Sequence, residues 1–227
     1  MKLIEPNWHV PKNIRAVMTS RLDGVSQQPF DSLNLGLHVN DNLLSVNQNR
    51  QITSEIININ TPPLWLNQTH STDVIESCEH YNGVTADAII TTKIKQPLVI
   101  MTADCLPILL TNTSGTEIAS IHAGWLGLSQ GIIKNTIDKI HSKNENIICW
   151  LGPCISQQFF EVGLKVKTAF NIIDKNADQG FIFNPQTKKY HACLHTLAIN
   201  QLKNLGVSKY YQNTLCTYQN EELFFSY

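Results

Sequence analysis

Residues 101–127, MTADCLPILLTNTSGTEIASIHAGWLG, contain two β-rich runs, each with a chemically reactive side chain at one end. Cys105 comes just before the run PILLT, and His122 ends the run EIASIH. Short apolar runs bounded by Gly, Pro, Asn or Asp predict buried β-strands. Because irregular backbone at strand ends can open into a cleft, Cys105 and His122 are candidates for a functional site.

Similar patterns predict the other elements of the chain. Five further β-rich runs are RAVMT, DVIE, DAIITT, LVIMT and IICWL. A first helical stripe follows His122 and comprises Leu128, Ile132, Ile133, Ile137 and Ile140. A second stripe ends at Gly206, a residue suited to a helix C-cap, and comprises Leu194, Leu197, Ala198, Leu202 and Leu205. A weaker helical pattern covers about residues 45–59.

The order of these elements predicts the fold class. Strands occur in clusters, with helices between the clusters, which favours an α+β fold: a layered α/β sandwich with mixed sheets and flanking helices. No linker rich in Pro, Gly or Ser, no charge block and no low-complexity run divides the chain. We therefore expect residues 1–227 to form a single domain.

The charge balance bears on the class of partner. The 227 residues include 17 basic and 18 acidic side chains, and 42% are apolar. This composition favours neither a nucleic acid nor an anionic membrane surface as a partner, and it leaves the oligomeric state open. The N-terminus lacks the basic and apolar regions of a signal peptide, and no run of about 18 apolar residues occurs. We therefore expect a cytoplasmic protein without a membrane span.

Three segments place a metal-ligand side chain where an extended run meets polar or glycine residues: WLNQTHS with His70, TADCLP with Cys105, and SIHAGWLG with His122. Two imidazoles and a thiolate suit Zn²⁺, and three protein ligands leave a fourth position for water or substrate, as in catalytic zinc sites. Bound zinc would also neutralise a thiolate that is costly in an apolar shell. The spacing matches no local motif, and each histidine taken alone fits a structural or surface role better.

Asp104 stands beside the candidate thiol. Adjacent side chains of an extended strand point to opposite faces, so Asp104 should not share the pocket of Cys105 unless the strand breaks there. We expect Asp104 to orient a ligand histidine or a loop amide. Capping of the turn before Pro107 is the alternative.

The remaining thiols and imidazoles have simpler interpretations. Six cysteines without a C-x-x-C pair predict reduced thiols, most of them packed as small hydrophobes. Cys154 follows a Gly-Pro turn and could be a reactive loop thiol, although a packed thiol is favoured. His191 and His195 lie four apart on a predicted helix, but the Glu of a zincin motif is missing between them. We interpret these two histidines as belonging to the partly exposed first turns of an amphipathic helix.

Three further blocks follow the same chain order: TSRLDGVSQQPFDSLNLGLHVNDN (19–42), TADAIITT (85–92) and LGPCISQQFFEVG (151–163). Together with the ligand segments, they resemble the YfiH-like laccase-domain family, also described as multicopper polyphenol oxidases or purine nucleoside phosphorylases. The resemblance implies a single α/β sandwich whose metal, zinc or alternatively copper, is held by His70, Cys105 and His122. The chemical interpretation and the family pattern therefore indicate the same three residues.

The resemblance also implies an activity. Its substrates would be phosphate and a purine nucleoside, namely adenosine, inosine, guanosine or methylthioadenosine, with deamination of adenosine at the same site. In the first block, Arg21 is the candidate phosphate or ribose contact, and Asn34 and His38 are candidate polar contacts. Asp23 stands where the family pattern R-x-G-G-V-S has a second glycine, a departure that can restrict this loop.

Three alternatives stay open. A copper polyphenol oxidase needs a cluster held by many histidines, usually in H-x-H pairs, whereas this chain has 8 histidines and no such pair. A hydrolase in peptidoglycan precursor editing would use Cys105 as nucleophile with His122 or His70 as base. A non-catalytic metal-binding protein would turn over no nucleoside. The chain also lacks the G-x-G-x-x-G, Walker and G-x-S-x-G patterns, which argues against dinucleotide, NTPase and standard hydrolase sites.

Overall fold

The computed structural model describes residues 2–227, and its largest element is a six-stranded sheet. From one edge to the other, its strands are β11 (Lys209–Gln212), β7 (Ile147–Leu151), β5 (Leu106–Asn112), β6 (Ile118–Ala123), β4 (Ala88–Thr91) and β3 (Val74–Glu76). The three inner pairs are antiparallel, whereas the β11–β7 and β3–β4 pairs are parallel. The sheet is therefore mixed, in agreement with the predicted α+β class.

Strands β5 and β6 form a hairpin whose register positions the two reactive side chains. Leu106 lies opposite Ala123, and Pro107 lies opposite His122. Cys105 directly precedes Leu106, so the thiol and the imidazole belong to the same end of the central sheet. The open end of this hairpin is where the candidate site is found.

Five α-helices accompany the sheets within residues 2–227: α1 (Leu43–Ile56), α2 (Trp125–Ser129), α3 (Ile132–Lys139), α4 (Leu164–Ile173) and α5 (Leu194–Asn204). The stripe predicted after His122 is divided into α2 and α3 by Gly131, which has φ 95°. Helices α2, α3 and α5 contribute buried apolar side chains to the main core. In this described part of the chain, no helix has both the length and the apolar character to cross a membrane.

Two smaller antiparallel sheets complete the fold: β1 (Leu3–Ile4) with β2 (Met18–Thr19), and β8 (Glu161–Val162), β10 (Lys189–Ala192) and β9 (Phe181–Asn184) in that spatial order. The second of these sheets corrects one prediction, because His191 lies on β10 and not on a helix with His195. Strands on both sides of β10 satisfy its backbone in the extended form. Helix α5 therefore begins only at Leu194.

The run LVIMT (98–102) is a second correction, because only Leu98 makes a bridge there, an isolated one with Leu64. The side chain of Gln68 takes the place of a strand partner. Its amide donates to the Met101 carbonyl at 2.7 Å, and its oxygen accepts from the Met101 amide at 2.8 Å. A side chain thus satisfies the backbone that a strand ladder would otherwise satisfy.

Candidate metal centre

Three side chains from separate segments meet at the open end of the β5–β6 hairpin. His70, Cys105 and His122 each offer one ligand atom, and these atoms all lie within 4.8 Å of one another. Cys105 Sγ is 3.7 Å from His70 Nε2, and the two imidazole rings stand edge to face with centroids 4.7 Å apart. The structure therefore brings the three predicted ligands together, and we call this group of candidate metal donors the metal centre.

Asp87 fixes the orientation of His122. Its carboxylate is fully buried, and Oδ1 lies 2.7 Å from His122 Nδ1. The backbone carbonyl of Asp87 also accepts the His122 amide at 2.8 Å. Because an ionised carboxylate can only accept hydrogen bonds, Nδ1 of His122 carries the proton and Nε2 keeps its lone pair for a ligand.

The same carboxylate holds the turn that carries His70. The amides of Thr69, His70 and Ser71 donate to the carboxylate oxygens of Asp87 at 3.1, 3.0 and 2.7 Å. His70 has φ 61°, a left-handed conformation that a non-glycine residue adopts at a cost unless its surroundings impose it. Burial alone would raise the pKa of Asp87, but the hydrogen bonds from His122 and Ser71 outweigh it and lower the pKa to about 2.

Sequence reasoning does not identify Asp87, although the residue lies in the block TADAIITT. The available signal is a carboxylate inside a buried apolar run, since Ala86, Ala88 and Ile89 beside it are all 0% exposed. A buried charge is costly unless it is paired or hydrogen-bonded, so such an aspartate is expected to hold other polar groups in place. Its partners, however, come from residues 69–71, which no local pattern connects to it.

Asp104 shapes the turn that presents Cys105. It has φ 73°, so the chain is not extended here and β5 begins only after Cys105. The Asp104 carboxylate accepts hydrogen bonds from Thr217 Oγ1 at 2.6 Å, from Ser226 Oγ at 2.9 Å and from the Tyr227 amide at 2.8 Å. Asp104 thus orients groups of the C-terminal segment, a loop amide among them, whereas the carboxylate that orients a ligand histidine is Asp87.

The electrostatics of the metal centre favour neutral donors. Burial raises the pKa of Cys105 to about 12, and the charges of Asp104 and Asp87 act in the same direction. Burial also lowers the pKa of His70, and the charge of His122 lowers it further. A divalent cation would compensate a thiolate in these surroundings, and two imidazoles with one thiolate suit a borderline cation such as zinc.

Gly124 leaves room for the donors. A Cβ on this residue would lie 2.6 Å from His70 Cδ2 and 2.9 Å from Cys105 Sγ. Its backbone is extended, with φ −67° and ψ 161°, so any residue could adopt it. The glycine is therefore required by space around the metal centre and not by backbone conformation.

Two of the predicted substrate contacts share one turn. The charge of His38 is among the causes that lower the pKa of His70, after burial and His122. Asn34 is buried, and its side chain accepts the Gly36 amide at 3.0 Å and donates to Asp41 at 2.9 Å. Asn34 therefore holds the turn that precedes His38.

Arg21, the third predicted contact, is engaged with two other segments. Its guanidinium donates to the Asp31 carbonyl at 2.7 Å and to the Glu221 carbonyl at 3.2 Å, and it lies 4.4 Å from the ring centroid of Phe225. It also forms an ion pair with the Asp31 carboxylate at 3.3 Å. In the same loop, Asp23 has φ 67°, so the backbone there keeps a left-handed conformation that glycine would adopt freely.

These observations define a class of protein: a mixed α+β fold with two histidines and one cysteine gathered at one end of its central sheet. The chain belongs to the family described as multi-copper polyphenol oxidoreductase laccase, which matches residues 15–227. The resemblance to YfiH-like laccase-domain proteins is thereby confirmed.

Relatives of known name and structure extend this comparison. A Haemophilus influenzae protein named purine nucleoside phosphorylase is 43% identical over 228 residues, which cover 100% of this chain and 93% of the relative. An Escherichia coli protein named purine nucleoside phosphorylase YfiH is 42% identical over 227 residues, with coverage of 100% and 93%. The crystal structure of the Neisseria meningitidis protein NMB0706, of family DUF152, has a TM-score of 0.94 at 39% identity and covers 99% of this chain and 92% of its own.

Proposed function

We propose that this chain is a zinc-dependent purine nucleoside phosphorylase that uses phosphate to split adenosine, inosine, guanosine and methylthioadenosine, and that deaminates adenosine at the same site. The observation that carries the proposal is the meeting of ligand atoms from His70, Cys105 and His122 within 4.8 Å. The names of relatives that are 42–43% identical over the whole chain support the reaction class.

His70, Cys105 and His122 would hold the zinc ion, with copper as the alternative metal. When held there, the ion would supply Lewis-acid chemistry to a substrate atom or to water. Asp87 keeps the proton of His122 on Nδ1 at a distance of 2.7 Å, so Nε2 is available as a donor. Cys105, His70 and His122 serve the reaction only as a set, because each alone is an ordinary side chain: His70 is exposed, Cys105 is half-buried and His122 is buried.

Arg21, Asn34 and His38 are the proposed substrate contacts. Phosphorolysis develops positive charge at the sugar C1′, so it needs a phosphate held on one face and a stabilised purine on the other. Arg21 has the charge and fork geometry that phosphate requires. His38, whose charge acts on His70, is assigned to the nucleoside, with Asn34 as a further polar contact that also holds the turn.

Incubation of the zinc-loaded protein with adenosine and phosphate tests the proposal, with adenine, inosine and hypoxanthine separated by chromatography. Cys105→Ala should reduce all three products to background, whereas the matched control Cys78→Ala removes an exposed thiol and should retain activity. Equal rates in wild type and Cys105→Ala would overturn the site assignment. No nucleoside turnover by the metal-loaded wild type would overturn the function and favour a non-catalytic metal-binding role.

One distance favours a second candidate, the Cys/His hydrolase of peptidoglycan precursors. Cys105 Sγ lies 3.7 Å from His70 Nε2, a separation from which an imidazole could activate a thiol. One observation argues against the hydrolase. Its nucleophilic cysteine would have to ionise without help from a metal, whereas the pKa of Cys105 is raised to about 12, mainly by burial. Chelation separates the two functions, because a hydrolase keeps its activity without metal and a zinc enzyme does not.

The family description leads to a third candidate, a copper-dependent polyphenol oxidase. Multicopper chemistry needs a histidine-rich cluster beside a Cys/His centre, whereas within residues 2–227 the donors gather in the one group described above. We expect negligible oxygen uptake with a phenol when the protein carries only zinc. Rapid oxygen uptake would favour the oxidase over the phosphorylase.

A further inference from the structure

A second group of thiols lies outside the metal centre. Cys154, between β7 and β8, is 1% exposed, and Cys216, after β11, is 3% exposed. His195, near the start of α5, places Nδ1 3.4 Å from Cys154 Sγ. Neither cysteine has a part in the proposed nucleoside chemistry, and both are reduced in this structure.

Backbone register sets the two cysteines side by side. Cys154 and Cys216 are direct partners in an isolated parallel β-bridge, and the Thr217 amide donates to the Cys154 carbonyl at 3.1 Å. Bridged backbones lie about 4.8 Å apart, with paired side chains on the same face. A disulfide needs Cα atoms roughly 4.4–6.8 Å apart, so this register brings the pair within bonding range without a large backbone movement.

Each sulfur also has a partner that prepares it for reaction. The Ser156 amide donates to Cys216 Sγ at 3.3 Å, a contact that stabilises negative charge on this sulfur. His195 Nε2 lies 3.1 Å from the Gly152 carbonyl, which can only accept, so the ring proton belongs on Nε2. Nδ1 of His195 is then free to take the proton of the Cys154 thiol.

We propose that Cys154 and Cys216 form a reversible intramolecular disulfide when the protein meets a hydroperoxide. The Cys216 thiol first gives up its proton to solvent, and the thiolate attacks the peroxide; the O–O bond breaks, an S–O bond forms, and the departing oxygen takes one proton back from solvent. Cys154 then passes its proton to His195, and its sulfur attacks the Cys216 sulfur. The S–O bond breaks, and the departing hydroxide takes that proton to become water. Two thiols thus lose two electrons, and one peroxide gains them.

The bond would join the two segments that hold the turn before Cys105. Ile155, next to Cys154, donates its amide to the Asp104 carbonyl at 3.0 Å. Thr217, next to Cys216, donates its hydroxyl to the Asp104 carboxylate at 2.6 Å. Both segments of the thiol pair are therefore hydrogen-bonded to Asp104, which precedes Cys105 of the metal centre.

Peptide mass spectrometry of the zinc-loaded chain tests the inference without any measurement of nucleoside turnover. Cys78→Ser removes the exposed thiol, so that links between chains do not interfere. After brief treatment with hydrogen peroxide and alkylation of free thiols in denaturant, we expect a linked peptide pair containing Cys154 and Cys216, lighter by two hydrogen atoms. Dithiothreitol should restore both thiols.

Two substitutions in the same background sharpen the test. Cys154→Ser should abolish the link and leave Cys216 as a sulfenic acid that a dimedone probe traps. Cys193→Ser is the matched control and should retain the link, although this thiol also acts electrostatically on Cys154. Formation of a Cys154–Cys193 link, a link to Cys105, or oxidation without any link would each overturn the proposal. Because the readout is a mass, its failure is distinguishable from failure of the proposed enzymatic function.

Discussion

The metal centre and the buried thiol pair each set a cysteine beside a histidine, at nearly the same distance. Cys105 Sγ lies 3.7 Å from His70 Nε2, and Cys154 Sγ lies 3.4 Å from His195 Nδ1. Both sulfurs have pKa values raised first by burial. A thiol–imidazole contact at a cysteine whose pKa is raised by burial is therefore not enough to distinguish a metal site from a redox pair.

The two regions differ in the group that stands beside the cysteine and the histidine: His122 at the metal centre and Cys216 at the thiol pair. At the metal centre, His122 brings a further nitrogen, and a buried carboxylate holds its ring in one orientation. At the thiol pair, the other ring nitrogen of His195 faces a backbone carbonyl, and the neighbouring residue is Cys216. Convergent nitrogens favour a cation, whereas two adjacent sulfurs favour a covalent bond between them.

The largest contrast is expected in zinc content. Cys105→Ala removes one of three donors and should leave no tightly bound zinc after dialysis. Inductively coupled plasma mass spectrometry measures the zinc content. Cys154→Ala removes a thiol that also lies beside a histidine, and that is more deeply buried than Cys105, and should retain one zinc per chain. Comparable zinc loss in both variants would contradict the claim that only the metal centre binds zinc.

Asp87→Asn should have the next largest effect, because it replaces the carboxylate that orients His122. Loss of such a partner typically weakens metal binding by about 10–100-fold. Competition with a chromophoric chelator measures the zinc dissociation constant. Asp138→Asn, which removes an exposed carboxylate paired with Lys134 on α3, is the control and should leave that constant unchanged.

Acid should destabilise the metal-free protein by protonating the carboxylate of Asp87. The pKa of Asp87 is about 2 in the folded chain, against a reference value of 3.8. Its contribution is therefore complete well above pH 3.8 and is lost as the pH falls through 3.8 and towards 2, which corresponds to about 2 kcal/mol of unfolding free energy. Urea unfolding at a series of pH values in EDTA measures this loss. Asp87→Asn should flatten the profile, and an unchanged acid slope in that variant would contradict the assignment.

The donors of the metal centre could be predicted from the sequence because each stands where an apolar run meets polar residues. Asp87 could not, since the evidence for its role is a set of amides at residues 69–71 that only the folded chain brings to it. The pairing of Cys154 with Cys216 is likewise hidden, because it depends on a bridge between segments far apart in the chain. Local patterns indicate candidate donors, the family resemblance combines them into one set, and only the folded chain shows which residues hold them in place.

The fold divides in the same way. Five strands of the central sheet, β3 to β7, could be predicted because their burial produces apolar runs, as in β7, which is buried throughout. The edge strand β11, KYYQ, is not predicted, since both of its ends are exposed. Helix α4 is not predicted, because Leu164 and Ile172, which are 63% and 79% exposed, obscure its helical period. Both lie off the stripe of Val166, Phe170 and Ile173. Strand β9 is similar, with Ile182 and Phe183 both exposed. Elements whose apolar residues face outward leave no reliable period in the sequence.

The smallest of these effects concerns the space around the donors. Gly124→Ala places a methyl group 2.6 Å from His70 Cδ2 and 2.9 Å from Cys105 Sγ, so one of the two donors must shift. We expect zinc binding to weaken about tenfold, or roughly 1.4 kcal/mol, measured by the same chelator competition.

Gly163→Ala is the matched control, because this glycine also precedes a helix in extended conformation, with φ −80° and ψ 169°. A Cβ on Gly163 meets nothing within 4 Å, so this variant should bind zinc as the wild type does. Equal affinities in both variants would mean that the donors tolerate displacement. In that case the contrast with the thiol pair would depend on the identity of the donor atoms and not on the space between them.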